Sequence, residues 1–202
     1  FISYKRYGEW TTWARDVFKP VLEDHLSMEL GRKAEIFVDS RIEGNANWLP
    51  ELCTIIAESR TMVPLFSKMY FGSAPCIKEL YAMRHKETQL GMRLGVNTRG
   101  VITPARIHDG LENDLPGILR ECCQMQTEDL TAYALTSLHR GSKQFLRFET
   151  AVKQWIPRSV VPAIRLADAH PFDQQWAVDL ISGSFHDPGP ADFSSTGFTD
   201  LS

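Results

Sequence analysis

Two spacings of hydrophobic residues alternate along the chain. Short apolar runs, typical of buried strands, predict strands at Phe1–Tyr4, Ala34–Val38, Thr61–Phe66, Gly100–Ile107 and Gln124–Leu130. Between the runs, apolar residues recur at helical spacing and predict helices at Glu9–Gly31, Trp48–Ile56, Pro75–Gln89 and Leu115–Cys123. Strands that alternate with helices in this way predict a parallel sheet with helices on both faces.

Two prolines interrupt this pattern. Pro20 falls inside the first predicted helix and is expected to kink or split it, because proline cannot donate the helical hydrogen bond. Pro64 falls inside a predicted strand and cannot donate to a sheet ladder, so we expect either a bulge or an unpaired side there. Gly31 is a candidate C-cap for the first helix.

The hydrophobic pattern and the composition of the chain change after about residue 135. The spacing of Phe145, Phe148, Val152 and Trp155 predicts a further amphipathic helix, and the residues from Asp168 onward are rich in Pro, Gly, Ser and Asp. We therefore expect a sheet domain at 1–135, a helical extension at 136–167 and an irregular tail or linker at 168–202.

Composition narrows the class of protein. The 202 residues carry a formal net charge of -3, so no basic excess points to nucleic acid and no polybasic run points to a membrane surface. No apolar stretch approaches the roughly 18 residues that span a bilayer. The four cysteines are expected to be reduced thiols of a cytoplasmic protein. The first residue is Phe1 rather than Met, which leaves open whether residues precede it.

Four segments resemble the Toll/interleukin-1 receptor (TIR) domain family, in the family's order. They are FISYKR at Phe1–Arg6, IFVD at Ile36–Asp39 followed by Trp48, SRTMVPLFS at Ser59–Ser67, and SAPCIKEL at Ser73–Leu80. The last is similar to the S-x-x-C-x-x-E pattern of catalytic TIR domains. The match covers roughly residues 1–130. It departs from the family in the loop after Asp39, where Ala46 stands at a common glycine position and the glycine is Gly44.

The resemblance implies an α/β, flavodoxin-like three-layer fold with a central parallel sheet of about five strands. It also implies cleavage of NAD⁺ at the nicotinamide–ribose bond, yielding nicotinamide with ADP-ribose or a cyclic isomer, in bacterial immune (anti-phage) signalling. The expected partners are NAD⁺, other TIR domains by self-assembly, and a sensor or effector protein through the C-terminal extension. Other family members are scaffolds that act only through TIR–TIR contacts, which is the alternative function.

Glu79 is the residue on which the catalytic hypothesis depends. Helical spacing places it beside Cys76 and Met83, so its carboxylate is expected to be partly desolvated. A carboxylate can stabilise the oxocarbenium-like charge that develops on the ribose. Spacing alone would favour an ordinary solvated glutamate near Lys86; the S-x-x-C-x-x-E context favours catalysis.

Seven further residues are candidates for substrate contact, each with an ordinary alternative. Lys5 and Arg6 are phosphate-binding candidates or exposed charges in equal measure. For the others the ordinary role is favoured: core packing for Tyr4, Trp48 and Cys76, and turn or helix capping for Asp39 and Ser73. The histidines show no metal-binding spacing, and no G-x-G-x-x-G or P-loop occurs, so NAD⁺ is expected as a substrate and not as a resident cofactor.

Overall fold

Four short parallel strands form the sheet of this computed structural model, which describes residues 1–38, 48–93, 99–108, 125–134 and 137–168. The strands lie side by side in chain order. Their bounds are β1 Ile2–Ser3, β2 Val63–Phe66, β3 Ala105–Arg106 and β4 Glu128–Asp129.

The strand order is that of a flavodoxin-like sheet. Val38 makes a parallel bridge to Ile2 on the side of β1 that does not face β2. The run at Ala34–Val38 therefore lies beside β1 on one side, and β2, β3 and β4 follow on the other side of β1. The predicted α/β class is confirmed, and β4, which falls in the predicted strand at Gln124–Leu130, ends the row of described strands. The ladders are shorter than the apolar runs, and the run at Ala34–Val38 is reduced to one bridge.

Seven α-helical segments surround the sheet in the part of the chain that is described. They are α1 Gly8–Thr12, α2 Lys19–Leu30, α3 Trp48–Glu58, α4 Lys68–Phe71, α5 Ala74–Gln89, α6 Lys143–Trp155 and α7 Val161–Asp168. The predicted helices are confirmed, except that Leu115–Cys123 lies outside the described residues. Between the predicted strand Thr61–Phe66 and the predicted helix Pro75–Gln89 the sequence predicts only a loop, at 67–74; the short helix α4 corrects this expectation. Gly31 ends α2 in the left-handed conformation, with φ 64, as expected for a C-cap.

Prolines divide two of the helices in the same way. Pro20 is the second residue of α2 and follows a π-helical segment at Trp13–Phe18. Pro162 is the second residue of α7 and follows a π-helical segment at Ile156–Val160. A proline ring clashes with the carbonyl four residues earlier, and a wider π turn makes room for that carbonyl without breaking the helix. The expected disruption at Pro20 is thus a π segment.

Pro64 leaves one side of its strand unpaired, as one of the two predicted solutions requires. The parallel pairing of β2 with β3 is interrupted between the Met62–Ile102 bridge and the Leu65–Ala105 pair. Both pairings have the same offset in residue number, so the register does not change and no bulge forms. On its other side Pro64 pairs with Ser3 of β1.

Two hydrophobic clusters pack on the two faces of the sheet. Ile2, Val63 and Leu65 point to the cluster built on α2, whereas Met62 and Phe66 point to the cluster built on α3 and α5. This alternation along β2 is the two-residue period of a strand buried on both faces. The domain is therefore a three-layer structure.

The C-terminal helices share the core of the first face. Phe148 and Trp155 of this region contact Phe18, with ring centroids 6.5 and 6.4 Å apart, and Trp13 lies 5.9 Å from Phe148. Buried aromatic side chains of this size contribute strongly to stability. The helical extension at 136–167 therefore covers α2 and the sheet; the expected tail at 168–202 lies outside the described residues except for Asp168.

A buried ionic network joins α5 to the segment before β3. The fully buried carboxylate of Glu87 accepts from Arg84 at 2.7 Å, from Arg93 at 3.0 Å and from the backbone N–H of Ile102 at 2.9 Å. Arg93 also donates to the Ile102 carbonyl at 2.6 Å. Gly100 lies against this network. Because a buried carboxylate is stable only when its partners are in place, the network fixes α5 against the sheet.

Replacing Gly100 with alanine is expected to destabilise the fold. The new Cβ would overlap Glu87 Oε1 and lie 2.5 Å from Arg93 Nε, so the ionic network must shift. We expect the free energy of unfolding to fall by about 2–3 kcal/mol in urea denaturation. Gly72→Ala is the matched control, because its Cβ would meet only ordinary contacts at 3.6 and 3.8 Å. Equal stability of the two variants would contradict the proposed role of Gly100.

Lys86 is expected to make the free energy of unfolding change with pH in the alkaline range. Its ammonium is buried and donates to the carbonyls of Ser59 at 2.9 Å and Ala57 at 3.3 Å, at the end of α3. Burial lowers the pKa of Lys86 from 10.5 to about 8. Between these values the unfolded chain binds a proton that the folded chain has released, so stability rises with pH in this window. Below about pH 8 the penalty for the buried charge is present in full.

The comparison with Lys86→Met isolates this effect. We expect the stability of the variant relative to the parent protein to be greatest below pH 8. It should then fall by at most about 3 kcal/mol as the pH rises to 10.5. Urea denaturation at several pH values measures the difference. A difference that stays constant from pH 7 to 10.5 would show that Lys86 does not titrate in this range.

Candidate functional site

The candidate site lies where β1 meets the second turn of α5. Glu79, on α5, is buried, and its carboxylate oxygen Oε2 accepts a short hydrogen bond from the hydroxyl of Ser3. Ser3 is the last residue of β1, and its side chain therefore faces the opposite side of the sheet from Ile2. A polar residue at the carboxyl end of a central strand thus orients the carboxylate.

Tyr70 completes the arrangement from α4. Its hydroxyl lies 3.0 Å from Ser3 Oγ and 3.3 Å from the carbonyl oxygen of Cys76. Ser67 positions Tyr70, because its side chain caps α4 by accepting from the Tyr70 backbone N–H at 3.1 Å. Two strand ends and two helices therefore hold this group of side chains.

The hydroxyl protons define the direction of these hydrogen bonds. When Glu79 is ionised, the proton of Ser3 is used on its carboxylate. The contact between Tyr70 and Ser3 then requires Tyr70 to donate, and its one proton is shared between Ser3 Oγ and the Cys76 carbonyl. Tyr70 thus donates to Ser3, and Ser3 donates to the carboxylate; hydrogen bonds that run in one direction toward a buried negative charge stabilise it.

Glu79 is not an ordinary surface glutamate. Only 6% of its surface is exposed, so the alternative of a solvated helix glutamate is wrong. In that alternative Glu79 would lie in solvent near Lys86. Lys86 is itself buried and donates to the carbonyls of Ala57 and Ser59. A carboxylate removed from water has a stronger electrostatic effect on a bound cation than one on the surface.

The other candidates are distributed around this centre. Tyr4 is buried in the core, Lys5 is half-buried and Arg6 is exposed in the loop after β1. Cys76 is a residue of α5, and its buried thiol packs in the core, in line with the favoured packing role. Trp48 is the first residue of α3; its side chain and Asp39 lie outside what the structure describes.

Ser73 requires a correction. It occupies the N-cap position of α5 with an extended backbone, φ -105 and ψ 106, as expected. Its side chain, however, makes no capping hydrogen bond. The first turn of α5 contains Pro75, which has no N–H to be capped. Ser67, three residues before Tyr70, is the serine that caps a helix in this region.

The carboxyl edge of the sheet also forms an open cavity of about 420 Å³. Because the carboxyl ends of parallel strands share one edge of a sheet, the sequence predicts the loops after Tyr4, Val38, Phe66 and Ile107 at this edge. Three of these four loops meet around the cavity. The lining residues are Tyr7, Gly8, Glu9, Trp10, Lys68, Met69 and His108. The rings of Trp10 and His108 lie 5.4 Å apart. The fourth loop, after Val38, lies outside the described residues.

Sequence reasoning missed Ser3 and Tyr70. Ser3 is the one polar residue in the FISY run, and period-two alternation places it on the same face as Phe1. That signal identifies the face but not the partner, which comes from α5. Tyr70 lies in a segment expected to be a loop, and no pattern in the sequence placed it near residue 79.

Metal binding has no candidate in the described ranges. No group of three or more His, Cys, Asp or Glu side chains lies close enough there to hold an ion. In the same ranges, no helix is long and apolar enough to cross a membrane.

Comparison with known proteins identifies a relative in a plant. Over 131 residues the chain is 28% identical to Protein SUPPRESSOR OF npr1-1, CONSTITUTIVE 1 of Arabidopsis thaliana. The alignment covers 62% of this chain but 9% of that protein, so the chain spans a small part of its relative's length. No protein-family model matches the chain, and no solved structure matches it significantly.

The hydroxyl of Tyr70 is expected to stabilise this site. Tyr70→Phe removes the contacts with Ser3 Oγ and the Cys76 carbonyl while the buried ring remains, so we expect unfolding to become easier by about 1 kcal/mol in urea. Tyr7→Phe is the control, because the Tyr7 side chain is 61% exposed. If both variants unfold like the parent protein, the Tyr70 hydroxyl does not contribute.

Proposed function

We propose that the chain is a TIR-type domain that cleaves NAD⁺ at the nicotinamide–ribose bond, with Glu79 as the essential carboxylate. The observation that carries the proposal is the buried carboxylate of Glu79, oriented by Ser3 at the carboxyl end of a central strand. In open α/β sheets, ligands bind beyond the carboxyl ends of the strands. A desolvated carboxylate at that edge is suited to stabilise a cation.

The chemistry requires little beyond this carboxylate. When the glycosidic bond breaks, nicotinamide leaves with the bonding electron pair and positive charge develops on the ribose ring. The carboxylate of Glu79 would stabilise that charge in an environment where its effect is strong. Attack by water then yields ADP-ribose and releases a proton; attack by an adenine nitrogen yields a cyclic isomer. Exclusion of water from the pocket would decide between the two products.

Ser3 and Tyr70 act through Glu79 in this proposal. They are positioning residues: Ser3 donates directly to the carboxylate, and Tyr70 contacts Ser3. The rest of the dinucleotide would lie along the same edge, where the cavity lined by Trp10 and Lys68 offers aromatic and cationic contacts. Arg6, exposed in the loop after β1, remains a candidate for the phosphates.

The TIR assignment is supported by four sequence segments and by the flavodoxin-like strand order. A role in immune signalling follows from the same family resemblance, and the chain is also similar to the Arabidopsis thaliana protein. Catalytic TIR domains work as assemblies, so we propose self-association of this chain, a cytoplasmic location, and regulation by a sensor or effector through the C-terminal region.

Release of nicotinamide from NAD⁺ tests the proposal directly. The protein is incubated with NAD⁺ over a wide range of protein concentrations, because assembly is expected to be needed for activity. Glu79→Gln is expected to reduce the rate by about 100-fold or more, since the charge is lost. Because the amide oxygen can still accept from Ser3, the fold should be retained, and thermal unfolding checks this.

Glu29→Gln is the matched control. Glu29 is an exposed residue of α2, and the same change of charge there should leave nicotinamide release unaltered. Release that survives Glu79→Gln would refute the assignment of the carboxylate. No release by the parent protein at any concentration would instead favour the alternative of a scaffold that only binds other TIR domains.

A further inference from the structure

The open cavity at the carboxyl edge of the sheet has the position and the size of a small-molecule site. Its seven lining residues follow three adjacent strands: four follow β1, two follow β2 and one follows β3. The cavity therefore lies beyond the carboxyl end of the middle strand, β2, where open α/β sheets bind ligands. Its volume of about 420 Å³ is within the range of such sites.

Trp10 and His108 form an aromatic wall of this cavity. Their ring centroids are 5.4 Å apart and their planes are inclined at 47°, which is the separation of an aromatic pair in contact. No third ring fits between two rings at this distance, so a ligand ring would stack on the surface that the pair presents to the cavity. Trp10 also packs against the core, which holds this surface in place.

Two large apolar side chains of the lining are exposed to solvent. Tyr7 is 61% exposed and Met69 is 38% exposed. In the described part of the chain the other exposed large hydrophobic residues are Met28 and Leu146, and neither lines the cavity. Exposed apolar side chains that gather around a concavity are typical of ligand-binding sites, and the flexible thioether of Met adapts to a flat ligand.

Two residues of opposite charge border the apolar lining. Lys68 is exposed and begins α4, whose N-cap Ser67 accepts from the Tyr70 N–H at 3.1 Å. Glu9 is exposed on α1. An ammonium binds an anion such as a phosphate, and a carboxylate accepts hydrogen bonds from an amino group. A ligand that satisfies both charges carries an anion and an amino group in addition to its flat ring.

We propose that this cavity binds an aminopurine nucleotide, with the base stacked on Trp10 and His108, the phosphate at Lys68 and the amino group at Glu9. Stacking on aromatic side chains is favourable for every nucleobase, so the two charged residues supply the selectivity. The adenylate half of NAD⁺ belongs to this class, and for that substrate the assignment rests on the proposed function. Binding of a free nucleotide does not depend on it.

Helix α4 connects the cavity to the candidate site. Lys68 and Met69 line the cavity, and the hydroxyl of the next residue, Tyr70, lies 3.0 Å from Ser3 Oγ. Ser3, Tyr70 and Glu79 are all described residues, and none of them lines the cavity. A nucleotide in the cavity therefore leaves the Glu79 carboxylate uncovered. A dinucleotide that places its second ribose at Glu79 would pass along α4.

Binding of AMP, measured by isothermal titration calorimetry, tests the proposal. We expect a Kd on the order of 0.1 mM, because stacking and one ammonium–phosphate contact hold the ligand. Lys68→Gln is expected to weaken binding about tenfold, since the charge that meets the phosphate is lost. Lys153→Gln is the matched control, because Lys153 is an exposed lysine of α6, and this variant should bind AMP like the parent protein.

The base and its amino group are tested separately from the phosphate. His108→Ala should weaken AMP binding about fivefold through lost stacking, and His108 is exposed, so thermal unfolding should be unaltered. Ribose 5-phosphate, which lacks the base, should bind about tenfold or more weakly than AMP. Purine riboside 5′-monophosphate, which has hydrogen in place of the amino group, should bind about fivefold more weakly.

AMP binding that both Lys68→Gln and His108→Ala weaken supports the proposal. No AMP binding, or binding that either variant leaves unchanged, overturns it, and equal binding of the two purine nucleotides overturns the assignment of Glu9. AMP has no nicotinamide bond, so these results are independent of NAD⁺ cleavage. Cleavage without AMP binding would overturn this site and leave the proposed function standing, whereas AMP binding without cleavage would do the reverse.

Discussion

Helix α5 carries three buried charged side chains, and the need to satisfy each of them determines how the helix sits on the sheet. Glu87 is held by two arginines and a backbone N–H, Lys86 by two carbonyls at the end of α3, and Glu79 by Ser3 of β1. An unsatisfied buried charge is far more destabilising than an unsatisfied surface charge. The three charges therefore restrict α5 to one position and one rotation, and the carboxylate of Glu79 is placed with corresponding accuracy.

The buried charged residues in the two halves of α5 have different partners. Its C-terminal half contains Lys86 and Glu87, whose partners belong to α3 and to the segment before β3. Its N-terminal half presents Glu79 to β1, where the Ser3 hydroxyl donates to the carboxylate at the carboxyl edge of the sheet. Ligands of open α/β sheets bind at that edge. The arrangement is therefore structural at one end of the helix and suited to chemistry at the other.

The sequence predicted the elements well and the contacts between them poorly. Helix α5 begins and ends within one residue of its expected bounds, because apolar spacing and Pro75 are local signals. The effects of Pro20 and Pro64 were also predictable, since a missing N–H acts wherever the residue lies. The strand at Ala34–Val38 was overestimated, because an apolar run reports burial whereas a ladder also needs a partner strand.

In the candidate site too, residues marked by a local sequence pattern were predictable, and contacts between residues far apart in the sequence were not. A motif identified Glu79, but its burial comes from packing of α5 on the sheet, and its hydrogen bond comes from Ser3, 76 residues away in sequence. Tyr70 lies on a four-residue helix too short to show a periodic pattern. Contacts of this kind depend on how the elements are arranged in space, and the spacing patterns of a single sequence do not identify such partners.

Strand β1 carries the hydroxyl on which the candidate site depends. Its last residue, Ser3, orients Glu79, and its backbone is paired with β2 on one side and with Phe37 on the other. A strand of two residues has few ladder bonds to define its position, and every displacement of Ser3 changes the direction of the hydroxyl that the carboxylate accepts from. The pairing of β1 with β2 on one side and with Phe37 on the other therefore restrains the Ser3 hydroxyl as well as the strand. Since misplacement of a catalytic group by about 1 Å is enough to slow a reaction by orders of magnitude, the pairing of this short strand would bear on chemistry at the carboxyl edge.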